Sequence, residues 1–473
     1  MASDGGVALC FLNENCPEIQ GEGMYICSAG AHMVRGIGSA PAFLGRSSQA
    51  KPAGAWWMFA FGAIVLTWLT LTWRIPLLLW DNIDLVPIYQ AWEEGRLGSS
   101  DFWKVHDGSH LHSAAYAILL LTTRASGGQT WLDCLVSMAL LGLCGAILLR
   151  MALRDFGARL HRGWLWVFVF LALYPGHLIN LQWGWQVAVF VGLLGCIAPV
   201  YLLTAPRLTW GANLLAVILA VAGVFGFSTT LVAFPVAVGL IVLHRTSSAA
   251  RRLGMCAPWL AALALLVALL HRGKAGAFVQ KLEAGPFVGY VFNYLGGGVM
   301  HFSNEVAPVF AAIALGYALW VSVRMRLHPS LLPWLSLMAM GVGFAILTAC
   351  GRATLFGAGH GFAIRYASFS IWFWIGWLGV MLVGFRDSRA WTLVRGLLLL
   401  FVAASIFNGL HLARKAMKIA EHSRQIAMQI REDYPHIDRA VLSEAYDWRA
   451  GVAEEQLRIW HAHGYAPFQD GRR

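Results

Sequence analysis

The sequence predicts an all-α polytopic membrane protein with about eleven transmembrane helices. Of its 473 residues, 58% are hydrophobic and only 12% are Asp, Glu, Lys or Arg, whereas a soluble domain carries roughly 25% charged residues. Several uncharged runs are also long enough to cross a bilayer, which takes ~20 helical residues. These observations exclude a soluble globular enzyme and a disordered chain.

Runs that contain no Asp, Glu, Lys or Arg define the predicted spans. They cover 55–73, 134–149, 163–179, 183–204, 208–226, 229–244, 253–271, 306–323, 327–350, 366–385 and 396–413. Residues 110–123 form a further run of only about 14 residues. That length fits a helix at the membrane surface better than a spanning helix.

The distribution of arginines predicts the orientation. With eleven spans and the N-terminus inside, most loop arginines face the cytoplasm, where Lys and Arg concentrate; counting 110–123 as a span would reverse this. We therefore expect an inner (plasma) membrane protein with a cytoplasmic N-terminus and an outside C-terminus. The net charge of +11 follows from this bias, so the sequence gives no support to nucleic-acid binding.

This topology divides the chain into three parts. Residues 1–54 are expected to be a disordered cytoplasmic tail, and residues 55–413 to be the transmembrane domain. Residues 414–473 form a helical tail on the outer side, in which Pro435 interrupts the helices.

The first outer loop, residues 74–133, is predicted to contain two juxtamembrane helices. The first lies within 84–97, where Leu85, Ile88, Tyr89 and Trp92 share one face and Gly95 ends the helix. The second is the surface helix at 110–123. The remaining polar sequence of unusual composition also falls in outer loops, so we expect any site to face outward.

Asp81 and Asp84 stand just after the first span and are the candidate catalytic residues. One interpretation is a pair of solvated loop acids. The other is a carboxylate at the membrane surface that acts as general base on an acceptor hydroxyl. Asp84 also opens the amphipathic helix, so an N-cap would explain it structurally.

Three histidines follow in the HDGSHLH element: His106, His110 and His112. Their spacing beside an aspartate is compatible with a divalent cation, although no glutamate or cysteine completes a recognisable ligand set. Polar contacts from His106 and His110 to a phosphate or sugar, and plain interfacial packing, are the alternatives. The sequence therefore requires no cofactor and leaves a metal open.

Two further outer turns carry candidate substrate-binding side chains. In GHLINLQWGWQ, His177, Asn180, Gln182 and Gln186 stand among tryptophans. Such amides and aromatic rings suit a sugar, but a capped turn in an interfacial aromatic belt has the same composition.

The second of these turns, GRATLFGAGHGFAIRY, contains Arg352, His360, Arg365 and Tyr366. Its two arginines could clamp a phosphate or diphosphate. They could equally be snorkelling arginines that anchor helix ends.

Nucleotide-binding and hydrolase motifs are absent from the sequence. It contains no Walker A sequence, no GxGxxG after a strand, no GxSxG elbow and no HExxH. An activated donor would therefore have to come from the membrane itself.

Taken in order, these motifs resemble the GT-C superfamily of integral-membrane glycosyltransferases and, more narrowly, a group of uncharacterised bacterial membrane proteins. The resemblance covers about residues 55–470 and rests on Asp81, Gly95, the element from His106 to His110, the turn from Asn180 to Gln186, and Gly351-Arg352 with Arg365-Tyr366. The chain departs from the group at Asn82, where a second acid is usual, and in a histidine element that is one residue longer and lacks its arginine.

The resemblance implies a glycosyltransferase of envelope polysaccharide biosynthesis. The donor would be a polyprenyl-phosphate-linked sugar, and the acceptor would be a glycan or lipid on the periplasmic face. Membrane lipids would surround the protein. Asp81 would be the general base, because its 14-residue spacing to Gly95 matches the group, and Arg352 and Arg365 would neutralise the leaving phosphate.

Two alternatives stay open from the sequence. One is a transporter or flippase of a lipid-linked or anionic substrate, which would need ionisable residues in mid-membrane; the uncharged spans argue against it. The other is a non-catalytic component of a polysaccharide assembly system.

Overall fold

Helices make up nearly all of the computed structural model in the part of the chain that it describes. Those residues are 53–78, 80–103, 105–106, 110–157, 162–244, 248–272, 283–385, 388 and 390–468. The predicted N-terminal tail therefore lies outside the described residues, apart from its last two positions.

The helices pack together in a bundle, with short helices and 3₁₀ turns between the long ones. In chain order they are α1 (Ala53–Thr72), α2 (Leu85–Glu93), α3 (Ser99–Phe102), α4 (Ser113–Ser126), α5 (Trp131–Phe156), α6 (Arg162–Ala172), α7 (Leu178–Leu181), α8 (Val187–Leu203), α9 (Trp210–Gly226), α10 (Ala233–Leu243), α11 (Ala249–Arg272), α12 (Ala284–Met300), α13 (Val306–Arg324), α14 (Leu332–Phe356), α15 (Ala367–Phe385), α16 (Trp391–Asp433), α17 (Arg439–Tyr446) and α18 (Ala450–Ala462). Two strands, β1 (Val105–His106) and β2 (His110–Leu111), form an antiparallel pair.

Nine helical stretches of the described residues are long and apolar enough to cross a membrane. Two shorter apolar stretches, Trp210–Gly226 and Ser228–Leu243, lie where the sequence predicts the fifth and sixth spans. The prediction of an all-α, multi-pass membrane protein is confirmed. The count of eleven spans stays a prediction.

Side-chain exposure separates the bundle core from the lipid-facing surface. Helix α15 is at the centre, and its tryptophans Trp372 and Trp374 are fully buried. Helix α1 lies at the periphery, where Trp57 and Phe61 are 76% and 70% exposed. Large exposed apolar side chains on a long helix are typical of a surface that faces lipid rather than water.

Hydrogen bonds gather the polar segments at one end of the bundle, which we call the polar end. The amide of Ile75 donates to the carbonyl of Gln182 at 3.0 Å. Asn180 Nδ2 donates to the carbonyl of Arg365 at 2.7 Å, and Gln182 Nε2 donates to the carbonyl of Ala416 at 2.9 Å. The first loop, the turn after α6, the segment before α15 and the middle of α16 therefore meet there.

The segment 272–305, predicted as a loop, contains helix α12. Tyr290 in the first half of α12 and His301 just beyond its last residue both contact the segment 358–366. These contacts place α12 beside the segment 358–366, and the indole of Trp374 donates to the carbonyl of Leu295 in the same helix. Helix α12 takes up 17 residues of the run 284–304, whose 21 residues include no Asp, Glu, Lys or Arg.

The C-terminal tail begins without a break in the chain. Helix α16 runs for 43 residues, about 65 Å at 1.5 Å per residue, so it passes through the predicted boundary at residue 413. Helices α17 and α18 then turn back and pack on α2, where Trp460 and Tyr446 are buried.

Candidate functional site

Asp81 and Asp84, the two candidate acids, are both paired with Arg449. Nη1 of Arg449 lies 2.8 Å from Oδ1 of Asp81, and its Nε lies 3.0 Å from Oδ2 of Asp84. The Arg449 side chain is 4% exposed, whereas the two carboxylates are 28% and 29% exposed. The cation therefore lies beneath the acids, and each acid keeps a face towards the surroundings.

Local backbone geometry positions both sides of this contact. Asp81 and Asp84 belong to the 3₁₀ turn Trp80–Asp84, and Trp80 has a φ of 47°, which is uncommon for a residue other than glycine. The Trp80 ring meets Trp183 edge-on at 4.9 Å between centroids. Arg449 ends the 3₁₀ turn Asp447–Arg449, between α17 and α18.

Packing of aromatic side chains between α2 and α18 positions Arg449 beneath the acids. The Tyr89 ring on α2 lies 5.5 Å from that of Trp460 on α18, and the hydroxyls of Tyr89 and Tyr465 are hydrogen-bonded. Each fully buried large apolar side chain contributes about 1.5–3 kcal/mol relative to exposure. The C-terminal tail is therefore part of the structure around the acids.

The predicted N-cap role of Asp84 is wrong. Asp84 occupies the N-cap position of α2 but makes no side-chain capping hydrogen bond. Its backbone is already helical, with φ −69° and ψ −12°, because the preceding 3₁₀ turn runs directly into α2. Capping side chains usually extend from a β-region backbone, and the Asp84 carboxylate instead pairs with Arg449.

Arg352 and Arg365 lie on either side of the short segment that joins α14 to α15. Arg352 lies four residues before Phe356, the last residue of α14, and Gly357 ends the helix with a φ of 75°, a conformation that glycine adopts without strain. Arg365 belongs to the 3₁₀ turn Ile364–Tyr366, and its guanidinium lies 5.6 Å from the centre of the Tyr366 ring.

Tyrosines of α12 complete this group, which we call the arginine cluster: Arg352, Arg365, His360, Tyr290, Tyr294 and Tyr366. The Tyr290 hydroxyl donates to the Tyr366 hydroxyl at 3.0 Å and lies 3.3 Å from Nδ1 of His360. The rings of Tyr294 and Tyr366 stack at 4.7 Å. Helix α12 therefore forms one wall of the cluster.

The arginine cluster has an excess of positive charge. Burial, then the charges of Arg365 and Arg352, lowers the pKa of His360 to about 4. His360 is therefore neutral near pH 7, and the charges of both guanidinium groups act on it. Within the part of the chain that the structure describes, no carboxylate pairs with Arg352 or Arg365. Two uncompensated arginines beside tyrosine hydroxyls suit an anion with several oxygen atoms.

The turn after α6 packs against the segment that carries Arg365 of the arginine cluster. His177, Asn180 and Gln182 are fully buried and Gln186 is 8% exposed. Nδ1 of His177 lies 2.9 Å from the Ser368 hydroxyl, and Asn180 donates to the same hydroxyl at 2.8 Å. These side chains tie the turn to α15 and hold the backbone of Arg365. Their predicted contact with a sugar stays a prediction.

The histidine element forms the β1–β2 hairpin, with His106 opposite His110 in the register. The His110 ring stacks on Phe227 at 4.7 Å. His112 is buried, and its Nδ1 lies 2.7 Å from the carbonyl of Gly226. Among the described residues, no group of three or more His, Cys, Asp or Glu could hold a metal ion.

Sequence reasoning missed three residue types at the polar end. Arg449 has no local signal, because only tertiary packing brings it to the acids. Tyr290 and Tyr294 are spaced as neighbours on one helix face, a signal that was available. Asp133 is buried and accepts a hydrogen bond from Thr122. Its carboxylate lies so close to Gly184 that a Cβ there would be 2.7 Å away. An acid at the start of a long apolar run was the sequence signal for this residue.

Comparisons with protein-family models, curated proteins and solved structures give no match for this chain. The functional interpretation therefore depends on the geometry of the polar end and on the order of the sequence motifs.

Proposed function

We propose that the protein is a GT-C-type membrane glycosyltransferase. It would transfer a sugar from a polyprenyl-phosphate carrier to an envelope glycan or lipid acceptor on the periplasmic face. The observation that carries this proposal is the arginine cluster, whose uncompensated cations lie at the same end of the bundle as Asp81. The order of motifs that resembles the GT-C superfamily supports sugar transfer rather than another reaction of a lipid phosphate.

In this proposal, the arginine cluster binds the phosphate of the donor. Arg352 and Arg365 supply planar, permanently charged donor groups, and the Tyr366 hydroxyl, which accepts from Tyr290 and keeps its own proton, supplies a neutral one beside them. The phosphate diester of the donor carries one negative charge. When the bond to the sugar breaks, the departing polyprenyl phosphate is a monoester and gains a second negative charge. Two guanidinium groups therefore stabilise the leaving group more than the bound donor, which is the requirement for catalysis by charge stabilisation.

Asp81 acts as the general base in the same reaction. Its carboxylate takes the proton of the acceptor hydroxyl, whose oxygen attacks the anomeric carbon. The bond from that carbon to the phosphate oxygen breaks, and the polyprenyl phosphate leaves with the bonding electrons. Arg449 acts as a positioning residue, because its buried guanidinium fixes one Asp81 oxygen and leaves the other side of the carboxylate towards the acceptor.

The pairing of both acids with Arg449 also favours a second candidate, a non-catalytic component that binds lipid phosphates. If Asp81 and Asp84 serve only to hold the C-terminal tail on the first loop, the arginine cluster would still bind a lipid phosphate.

Donor binding and transfer can be measured separately with the full chain in nanodiscs. The probe for binding is a polyprenyl-phosphate sugar, and transfer is followed as release of polyprenyl phosphate in the presence of envelope extract as acceptor. We expect Arg352→Ala and Arg365→Ala each to weaken donor binding by about 1.5–3 kcal/mol, the size of a charge-assisted hydrogen bond. Lysine at either position should restore only part of this, since the bidentate fork is lost.

Arg124→Ala is the matched control, because Arg124 is an arginine of the first loop that is 62% exposed. It should bind donor as the wild type does. Wild-type donor affinity in both arginine-cluster variants would end the assignment of the phosphate site. Donor binding without any transfer by the wild-type chain would favour the non-catalytic candidate.

A further inference from the structure

A second group of cations lies on α16, on the other flank of segment 358–366. Arg414, Lys415 and Lys418 follow directly after the last apolar run of this helix. Nearby Glu421 is engaged by Arg424 at 3.8 Å. Across the described ranges, no carboxylate forms an ion pair with any of these three cations.

A neutral histidine holds the ammonium group of Lys415. Nε2 of His301 bonds the carbonyl of Phe362, so this nitrogen carries the ring proton and Nδ1 is an acceptor. Nζ of Lys415 lies 3.4 Å from that Nδ1. Burial, followed by the charge of Lys415, lowers the pKa of His301. The lysine is therefore positioned by a polar contact that leaves its charge uncompensated.

An exposed apolar stripe leads along α16 to these cations. Leu410 and Phe407 precede Arg414 by four and seven residues, so all three share one helix face. Phe407 is 58% and Leu410 54% exposed. Phe302, which is 42% exposed, meets Phe407 edge-on at 4.9 Å. The stripe thus widens towards the end of α12.

We propose that this surface, formed by Arg414, Lys415, His301 and the Phe302–Phe407–Leu410 stripe, binds a long-chain lipid through a phosphate monoester. A monoester carries about −1.5 to −2 charges near pH 7, which matches two cations, whereas a phospholipid diester carries one. The lipid chain lies along the apolar stripe, where it replaces ordinary bilayer lipid.

The role of this surface rests on the proposed function. A lipid phosphate monoester is the form in which the carrier leaves the proposed transfer. His301 contacts Phe362, three residues before Arg365, so the surface and the arginine cluster share one backbone segment. We assign to it the released carrier, which moves from the arginine cluster to α16 before it returns to the bilayer.

Binding of a long-chain polyprenyl monophosphate to the full chain in nanodiscs tests this assignment, with native mass spectrometry as the readout. We expect the double variant Arg414→Gln, Lys415→Gln to lose about tenfold or more in affinity, the size of one or more charge-assisted contacts. Arg324→Gln, at a lipid-facing helix end with its guanidinium 5.1 Å from the Trp320 ring centre, is the control and should stay within about twofold. Lys415→Gln alone, with an unchanged melting temperature, serves if the double variant does not fold.

Two competitors define the ligand. Phosphatidylglycerol should compete weakly, and inorganic phosphate should not compete at all. Equal competition by phosphatidylglycerol would overturn the monoester assignment, and strong competition by inorganic phosphate would overturn the role of the apolar stripe. If Arg352→Ala abolishes binding of the monophosphate while the α16 double variant leaves it unchanged, the second site is overturned and the proposed function stands.

Discussion

Nη1 of Arg449 lies 2.8 Å from Oδ1 of Asp81, so a residue of the C-terminal tail directly contacts the acid that follows the first span. The same guanidinium reaches Asp84. Two carboxylates around one buried cation keep an ordered arrangement that neither acid would have in a solvated loop. This contact makes the tail a determinant of the geometry around Asp81.

Replacing Arg449 with alanine should destabilise the polar end. The variant leaves two partly exposed carboxylates next to each other without a cation, and we expect a loss of about 1–3 kcal/mol, less than for a fully buried pair because water screens the acids. The free energy of unfolding in detergent, together with the rate of proteolysis between α16 and α17, measures this. Lysine should restore the charge but not both contacts.

Arg458→Ala is the matched control for this variant. Arg458 lies on the neighbouring helix α18, is 70% exposed and pairs with Glu455. Surface ion pairs contribute about 0–1 kcal/mol, so this variant should unfold nearly as the wild type does. Equal stability of the Arg449 and Arg458 variants would show that the buried pair contributes nothing.

Asp81→Asn should separate catalysis from stability. An amide of the same shape keeps a polar contact with Arg449 but takes no proton from the acceptor. Expression and donor affinity should therefore persist, while turnover falls by ~10²–10⁴-fold, typical of the loss of a general base. Asp84→Asn should lower stability, and turnover only modestly, because Arg449 retains Asp81. Turnover of the Asp81 variant equal to that of the wild type would exclude Asp81 as the base.

Donor affinity should depend on pH through His360. In the free protein its pKa is about 4, because of burial and the charges of Arg365 and Arg352. A bound phosphate offsets those charges and raises the pKa of the histidine, so binding takes up a proton. Affinity should then increase as the pH falls from about 7.5 to about 5, by at most tenfold per pH unit for one proton. The phosphodiester itself does not titrate in this range.

The variant His360→Asn should abolish this pH dependence while the arginines still bind donor. Titrations by calorimetry in two buffers of different ionisation enthalpy report the proton uptake directly. A flat affinity profile for the wild type would place the phosphate away from His360, and an identical slope in the variant would assign the proton to another group.

Sequence periodicity and charge were sufficient for the architecture of the bundle. Uncharged runs coincide with the nine long apolar helices of the described residues, because a lipid-facing helix tolerates few ionic side chains. The amphipathic pattern around Tyr89 also located α2, since its apolar face packs on the C-terminal helices. Helix α12 was missed although residues 284–304 contain no Asp, Glu, Lys or Arg, because the absence of charge alone does not distinguish a buried helix from an apolar loop.

The contacts of the candidate site could be predicted only in part. The neighbourhood of Arg352 and Arg365 was apparent, since one short segment carries both. The partners of Asp81, Asn180 and His177 were not, because each lies on a distant element and sequence spacing contains no information on such contacts. Whether a polar side chain contacts a substrate or makes a structural hydrogen bond depends on the direction in which it points. Tertiary packing fixes that direction, so the sequence alone does not give it.

A substitution at Gly296 should test the close packing of α12 that forms the wall of the arginine cluster. A Cβ at this position would collide with the backbone carbonyl of Ala307 on α13, so Gly296→Ala must push the two helices apart. Overpacking of this kind costs about 1–3 kcal/mol. Gly316→Ala on α13, where a Cβ meets nothing within 4 Å, should be neutral or slightly stabilising. Equal melting temperatures for the two variants would contradict the packing.

The last prediction concerns the side of the membrane on which the polar end lies. The contact of Arg449 with Asp81 requires the first loop and the C-terminal tail to be on the same side, and the loop arginines predict that this side is outside. Single cysteines can report the side of the membrane at three positions. Ser100 lies in the first loop and Glu454 in α18, whereas Ser248 directly precedes α11 at the opposite end of the bundle. All three positions are exposed.

A membrane-impermeant maleimide applied to intact cells should label Ser100→Cys and Glu454→Cys, and should label Ser248→Cys only after permeabilisation. The sequence has eight cysteines, of which five lie in the described residues and four of these are buried, so the parent chain without Cys10, Cys16 and Cys27 measures the background. An active alkaline phosphatase fusion and a dark GFP fusion at the C-terminus would agree with this labelling. Labelling of Ser248→Cys alone would place the polar end in the cytoplasm, where a periplasmic acceptor could not reach Asp81, and the proposed transfer would have to be abandoned.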